Sequence, residues 1–190
     1  DISGVETEDN GDVNTADTLT SGSAIKGQLS THADLDVYSI VTSSTGTIQI
    51  DFDAPTDSSY SDYFTIVLSD GVNTIASQDT GKDTSFSAGV EAGTYYVDVM
   101  SGGTYYHNDE EYSLTATSTG GDISGVETED NGSLNLADTI TSGNSIKGQL
   151  SSDTDLDVYS IVTTSSGIIE IDFDAPTDSS YSDYFGIVLS

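Results

Sequence analysis

The sequence predicts an all-β protein built of tandem antiparallel β-sandwich domains, about eight strands to each repeat. Three observations carry that prediction. Apolar and polar residues alternate with a period of two in several runs, turn-forming residues separate the runs, and the first 69 residues recur later in the chain. Alternation over about 5–8 residues marks strands with one buried face.

In chain order, no segment carries a convincing 3.6-residue period, although Glu6–Thr18 leaves room for one short helical turn. Ile48, Ile50, Phe52 and Ala54 alternate with Thr47, Gln49, Asp51 and Asp53. Phe64, Ile66 and Leu68 alternate with Tyr63, Thr65 and Val67, a run apolar enough for a central strand. Tyr95, Val97 and Val99 alternate with Tyr96, Asp98 and Met100, and Tyr112, Leu114 and Ala116 with Ser113, Thr115 and Thr117. Turn signals lie between them at Ser69–Gly71, Asp79–Gly81, Ala92–Gly93 and Ser101–Gly103. Ser118–Gly121 reads as a short hinge.

Residues 1–69 return as 122–190, offset by 121 positions with 55 identities. This divides the chain into a complete sandwich repeat, 1–121, and the N-terminal part of a second, near-identical repeat, 122–190. The sequence holds a single copy of 70–121, so the second part is expected to be truncated or completed by a neighbouring chain. Close tandem copies are the signature of an array, and the chain reads as a window on a longer repeat protein.

Composition narrows the function. The net charge is −30, from 33 acidic residues against three lysines, and it spreads as −18 over residues 1–121 and −12 over 122–190. Three lysines cannot replace counterions along phosphates, so nucleic acid is excluded as a partner. An anionic membrane repels such a chain, and no apolar run approaches the roughly 20 residues that span a bilayer. Without cysteine there is no disulfide and no thiolate metal site. The alternating apolar runs argue for a folded protein that must manage its charge, either with bound cations or as an adaptation to high salt.

The motif order carries a resemblance. Glu6–Asn10 (ETEDN) precedes Ala16–Asp17, then Ile25–Leu29 (IKGQL), Asp34–Ile40 (DLDVYSI) and Ala92–Val99 (AGTYYVDV). This order resembles the bacterial pre-peptidase C-terminal domain family, related to the collagen-binding domains of clostridial collagenases. It covers all of repeat 1 and the first 69 residues of repeat 2. Asp9 stands where the family usually has proline, and Gly11 where an aspartate directly follows the asparagine. The resemblance implies a jelly-roll-like sandwich that is secreted and non-catalytic. It also implies calcium held by Glu6, Glu8, Asn10, Asp34 and Asp36, and in the copy by Glu127, Glu129, Asn131, Asp155 and Asp157. Hard-oxygen chemistry agrees, because calcium takes about 6–8 carboxylate, carbonyl or amide oxygens. The alternative is a solvated acidic linker followed by a polar turn.

A second acidic group comprises Asp51, Asp53, Asp57 and Asp62, repeated as Asp172, Asp174, Asp178 and Asp183. It is either a solvated strand face or a second cation site. Tyr96, Tyr105 and Tyr106 are candidates for binding a polysaccharide or protein fibre, against a packing role. Asn131–Ser133 is a formal N-glycosylation sequon that Asn10–Asp12 lacks. No catalytic constellation exists: His32 is replaced by Asp153 in the copy, and His107 has no nucleophile partner in the pattern. The expectation is therefore a non-enzymatic, extracellular repeat of a filament or adhesin stalk, rigidified by calcium at acidic junctions, whose partners are neighbouring repeats or identical chains. The alternative is a polymer-binding module of a secreted hydrolase.

Overall fold

Alternation in repeat 1 resolves into nine strands. They are β1 (Asp17–Thr18), β2 (Ala24–Gly27), β3 (Leu35–Thr42), β4 (Gly46–Asp53), β5 (Phe64–Ser69), β6 (Thr74–Thr80), β7 (Thr84–Val90), β8 (Gly93–Ser101) and β9 (Tyr112–Gly120). This is a computed structural model, and it describes residues 4–56, 60, 63–103, 108–123, 125–129, 131–152, 154–175 and 185–190. Among them there is no helix, and so none long and apolar enough to cross a membrane.

The strands form two sheets, ordered β1-β3-β8-β5-β6 and β2-β9-β4-β7. All pairings are antiparallel except β1 with β3, which run parallel with Asp17 opposite Tyr38. The alternation sorts side chains as expected: Ile48, Ile50 and Phe52 are buried, while Gln49 and Asp53 on the same strand are exposed. Phe64, Ile66, Leu68, Val97, Val99 and Leu114 complete the contact between the sheets. At one end of the core Phe52 stacks on Phe64 and Tyr112, with ring centroids 5.0 and 5.2 Å apart. Tyr112 thereby carries its hydroxyl from the core toward the acidic end of the sandwich.

Two local expectations change. The stretch Glu6–Thr18 holds a single hydrogen-bonded turn and no helix: Asp12 accepts the Asn14 N–H on its side chain at 2.7 Å and the Thr15 N–H on its carbonyl at 3.0 Å. A short aspartate competes for backbone donors in this way and favours turns over helix. Ser118–Gly120 is not a hinge but the end of β9, paired with Gly46–Ile48 of β4. Thr117 and Thr119, β-branched residues opposite Gln49 and Thr47, extend the ladder to the edge of the repeat.

Repeat 2 keeps only part of this order. β10 (Asp138–Thr139) and β11 (Tyr159–Ser160) pair in parallel, Asp138 opposite Tyr159, reproducing the β1–β3 register. The described residues after Ser160 form no strand, and Ile171, Phe173 and Ile187 are half exposed. The reason is pairing. β4 lies between β7 and β9, and β5 between β6 and β8, and all four partner strands come from the unduplicated 70–121.

β6 and β7 are the outer strands of the two sheets, on the same side of the sandwich. Repeat 2 covers this side. Thr128 forms an isolated parallel bridge with Gly89 of β7, Gln149 Nε2 donates to the Ser77 carbonyl of β6 at 2.6 Å, and Ser77 Oγ donates to the Ser151 carbonyl at 3.1 Å. Edge strands with unpaired backbone groups need such a cover.

Candidate metal centre

The acidic end is assembled from two pieces of chain. Val5 bridges to Lys26 beside β2, with Glu6 N–H donating to the Lys26 carbonyl and Lys26 N–H to the Gly4 carbonyl, each at 2.9 Å. Asp17 fastens the same segment by accepting the Thr7 N–H at 2.6 Å. Asn10 is buried, and its carbonyl accepts the Val37 N–H of β3 at 3.1 Å. These bonds bring the ETEDN segment against the DLDVY start of β3.

Glu8, Asp34 and Asp36 offer carboxylate oxygens that all lie within 4.8 Å of one another. Oxygens sharing one calcium at about 2.4 Å are no farther apart than that. Asp36 is fully buried, and its Oδ1 has no hydrogen-bond partner among the described residues. Its Oδ2 accepts from Tyr112 at 2.5 Å. Tyr38 donates to Glu6 Oε2 at 2.5 Å and lies 2.7 Å from the Tyr112 hydroxyl. The chain Glu6–Tyr38–Tyr112–Asp36 thus has three O···O contacts but only two hydroxyl protons. Burial, aided by Glu6, Asp34 and Glu8, pushes the Asp36 carboxyl up to about 8 against the pull of Tyr112. Burial raises Glu6 as well.

Asp34 shapes the entrance. Its Oδ2 accepts from Ser30 N–H and Oγ, both at 2.6 Å, and its Oδ1 from Leu35 N–H at 3.0 Å. Gly27 leaves room for the network, since a Cβ there would meet the Tyr38 hydroxyl, Glu6 Oε2 and the Tyr112 ring.

The copy rebuilds this arrangement. Its group within 4.8 Å is Glu127, Glu129 and Asp157, so Glu127, the counterpart of Glu6, stands where the first group has Asp34. Tyr159 donates to Glu127, as does the Gln149 N–H, and Asp138 accepts the Thr128 N–H at 2.8 Å, as Asp17 does that of Thr7. Asp155 accepts from Ser151 N–H and Oγ at 2.6 and 2.8 Å. Three buried oxygens here have no hydrogen-bond partner among the described residues: Glu129 Oε1, Asn131 Oδ1 and Asp157 Oδ1. Burial, with Asp155, Glu127 and Asp157 nearby, pushes Glu129 up to about 8; burial likewise pushes Glu127 up to about 7 and raises Asp157.

Of the ten residues named from the resemblance, six stand in the two groups, Glu8, Asp34 and Asp36 and then Glu127, Glu129 and Asp157, while Glu6, Asn10, Asn131 and Asp155 lie outside them. Sequence reasoning missed the supports: Asp17 and Asp138, and the hydroxyls of Tyr38, Tyr112 and Tyr159. A signal existed for Asp17, whose Ala-Asp pair was part of the motif order. The proline-to-Asp9 departure has a backbone cause. Asp9 sits at φ 68°, a left-handed conformation open to aspartate and closed to proline.

The second acidic group is arranged differently. Asp51 accepts from Ser85 Oγ at 2.7 Å and from Gln49 Nε2 at 3.0 and 3.1 Å on the outer face of the sheet. Asp53 is exposed beside it, and with Asp83 they line a shallow depression. Asp172 and Asp174 are exposed, whereas Asp57, Asp62, Asp178 and Asp183 lie outside the described residues. Tyr96 is half buried on the outer face of β8, its ring over Gly71, and Tyr105 and Tyr106 also lie outside the described residues.

Fold and site together define a β-sandwich module with a cluster of carboxylate oxygens at one end. No protein-family model matches the chain, and no curated protein matches it. Among solved structures it is similar to the pre-peptidase C-terminal domain of collagenase from Bacillus anthracis. The identity is 26% over 54% of this chain and 94% of that chain, with a TM-score of 0.44. That domain is of the family whose motif order this sequence resembles.

Proposed function

We propose that the chain is a non-catalytic, extracellular structural module, in which each acidic end holds a calcium ion and the ions stiffen a filament or adhesin stalk of tandem sandwiches. One observation, made twice, carries this reading. In both copies an aspartate oxygen at the start of the third-strand motif, Asp36 Oδ1 and Asp157 Oδ1, is buried without a hydrogen-bond partner among other carboxylates. A buried carboxylate oxygen without a partner costs free energy, and like charges around it add to the cost. A cation offsets both. The donors are hard oxygens with no sulfur, and the side chains vary in reach, which suits calcium better than the small octahedral shell of magnesium.

Thermal unfolding of the chain in calcium and in chelator tests the reading. Calcium at a hundredfold excess over its dissociation constant is expected to add about 2.7 kcal/mol for a site that only the folded state possesses. Identical unfolding in the two conditions overturns it. A second reading makes the unit a substrate-binding appendage of a secreted protease; the similar solved domain is a domain of a collagenase. Binding of the chain to a fibrous protein substrate, unchanged by chelation, would favour it.

A further inference from the structure

We propose that the β6–β7 side of repeat 1 is the seat of the acidic segment of repeat 2, and that this seat makes the second cluster the tighter of the two cation sites. The inference rests on the cation reading given above and adds a partner and an inequality to it.

The comparison is controlled by sequence, since Asp122–Gly132 is identical to Asp1–Gly11. Differences between the two segments therefore arise from where each one sits. Val5 is 42% exposed, whereas Val126 is half buried. Glu6 is half buried, whereas Glu127 is 6% exposed. Thr7 and Glu8 are exposed, and their counterparts Thr128 and Glu129 are half buried. The cover comes from repeat 1: Ile75, Ala76, Ser87 and Ala88 face Val126, Glu127 and Glu129 across a narrow cleft.

Gly89 shows how closely the two repeats meet. A Cβ at this position would lie 2.5 Å from the Glu127 carbonyl oxygen, and its next nearest neighbours are Glu127 C and Thr128 Cγ2, each at 3.5 Å. All three atoms belong to repeat 2, so a side chain here strikes the joint first. On the opposite side of the cleft Gln149 Nε2 holds the Ser77 carbonyl at 2.6 Å.

This cover acts on Glu127 and Glu129, while Asp157 is half buried where Asp36 is fully buried. The cluster in repeat 1 has one buried oxygen without a partner, Asp36 Oδ1, and the seated cluster has three, counted over the described residues. Attraction between a cation and carboxylates strengthens as water is removed, and preset donors lose less entropy on binding. Coupling is reciprocal, so an ion in the second cluster holds the repeats together by the same factor by which seating tightens the ion.

Calorimetric titration of the full chain with calcium chloride reads this directly. Two classes of site are expected, differing in affinity by about tenfold, within the usual range for coupled sites. Asp157→Asn should remove the tight class and Asp36→Asn the weak one. Gly89→Ala should bring the tight class down toward the weak one and leave the weak one unchanged. Gln149→Ala, which cuts the contact from the other repeat without touching β7, should act in the same direction. Two classes of equal affinity, or a tight class unmoved by both joint variants, overturn the inference while leaving the cation reading intact. No calcium heat at either cluster overturns both.

Discussion

The first 69 residues and their copy share 55 identities and end in different structures, apart from one corner where they agree. Ile50 and Phe52 are buried, and their counterparts Ile171 and Phe173 are each 52% exposed. The acidic corner nevertheless forms twice: Val126 bridges Lys147 as Val5 bridges Lys26, and Asp138 pairs with Tyr159 as Asp17 does with Tyr38. The difference teaches what each part needs. What the two corners share closes through contacts inside the first 40 or so residues of a repeat, where loop closure is cheap, and Tyr112 joins the first corner alone. The sandwich needs β6–β9, far along the chain and present once.

The sharpest way to break this contrast is to truncate the same aromatic in both copies. Phe52→Ala removes a ring packed on Phe64 and Tyr112 and is expected to destabilise repeat 1 by about 3–5 kcal/mol in urea unfolding. Phe173→Ala, whose ring touches Phe185 but stands half exposed, should shift the transition by less than about 0.5 kcal/mol. Equal losses would mean that the copy builds a core of its own.

A smaller effect separates the two corners. Gly27→Ala drives a methyl into the Tyr38 hydroxyl, Glu6 and the Tyr112 ring, which are tied to the core, at an expected cost of about 1–3 kcal/mol. Gly148→Ala meets Tyr159 and Glu127, and repeat 2 has no counterpart of Tyr112. It should leave the main unfolding transition in place while weakening cation uptake at the second cluster.

The gentlest probe is pH. The Asp36 carboxyl is raised to about 8 in the folded protein from an ordinary value near 3.8. Between those values the folded state binds more protons than the unfolded one, so stability falls as pH rises. In chelator, the melting temperature is expected to increase as pH drops from 8 to 5, the reverse of the usual carboxylate behaviour. Saturating calcium should abolish that rise, because an ion replaces the proton. A melting temperature that falls on acidification in chelator would contradict the raised Asp36 carboxyl.

Much of this was legible beforehand. The inward residues of β4, β5, β8 and β9 follow from alternation alone, since a strand with one buried face leaves a period-two record. Part of the acidic corner was legible through the family resemblance, which implied a shared site for residues that include Glu8, Asp34 and Asp36. Pairing was not. Nothing in Asp17–Thr18 announces a parallel partner at Tyr38–Ser39, and Ser118–Gly120 has the composition of a hinge although β4 holds it in a ladder. The covering of β6 and β7 by repeat 2 was equally hidden, because Gly89 and Gln149 gain meaning only when the segments meet.

Counting bound ions tests the central claim most directly. Equilibrium dialysis of the chain against calcium, with metal quantified by atomic emission, should return two ions per chain, one for each acidic cluster. Asp36→Asn and Asp157→Asn should each remove one ion, and the double variant both. Dialysis that returns no calcium, or a count unchanged in the double variant, would contradict the assignment of these two corners as cation sites.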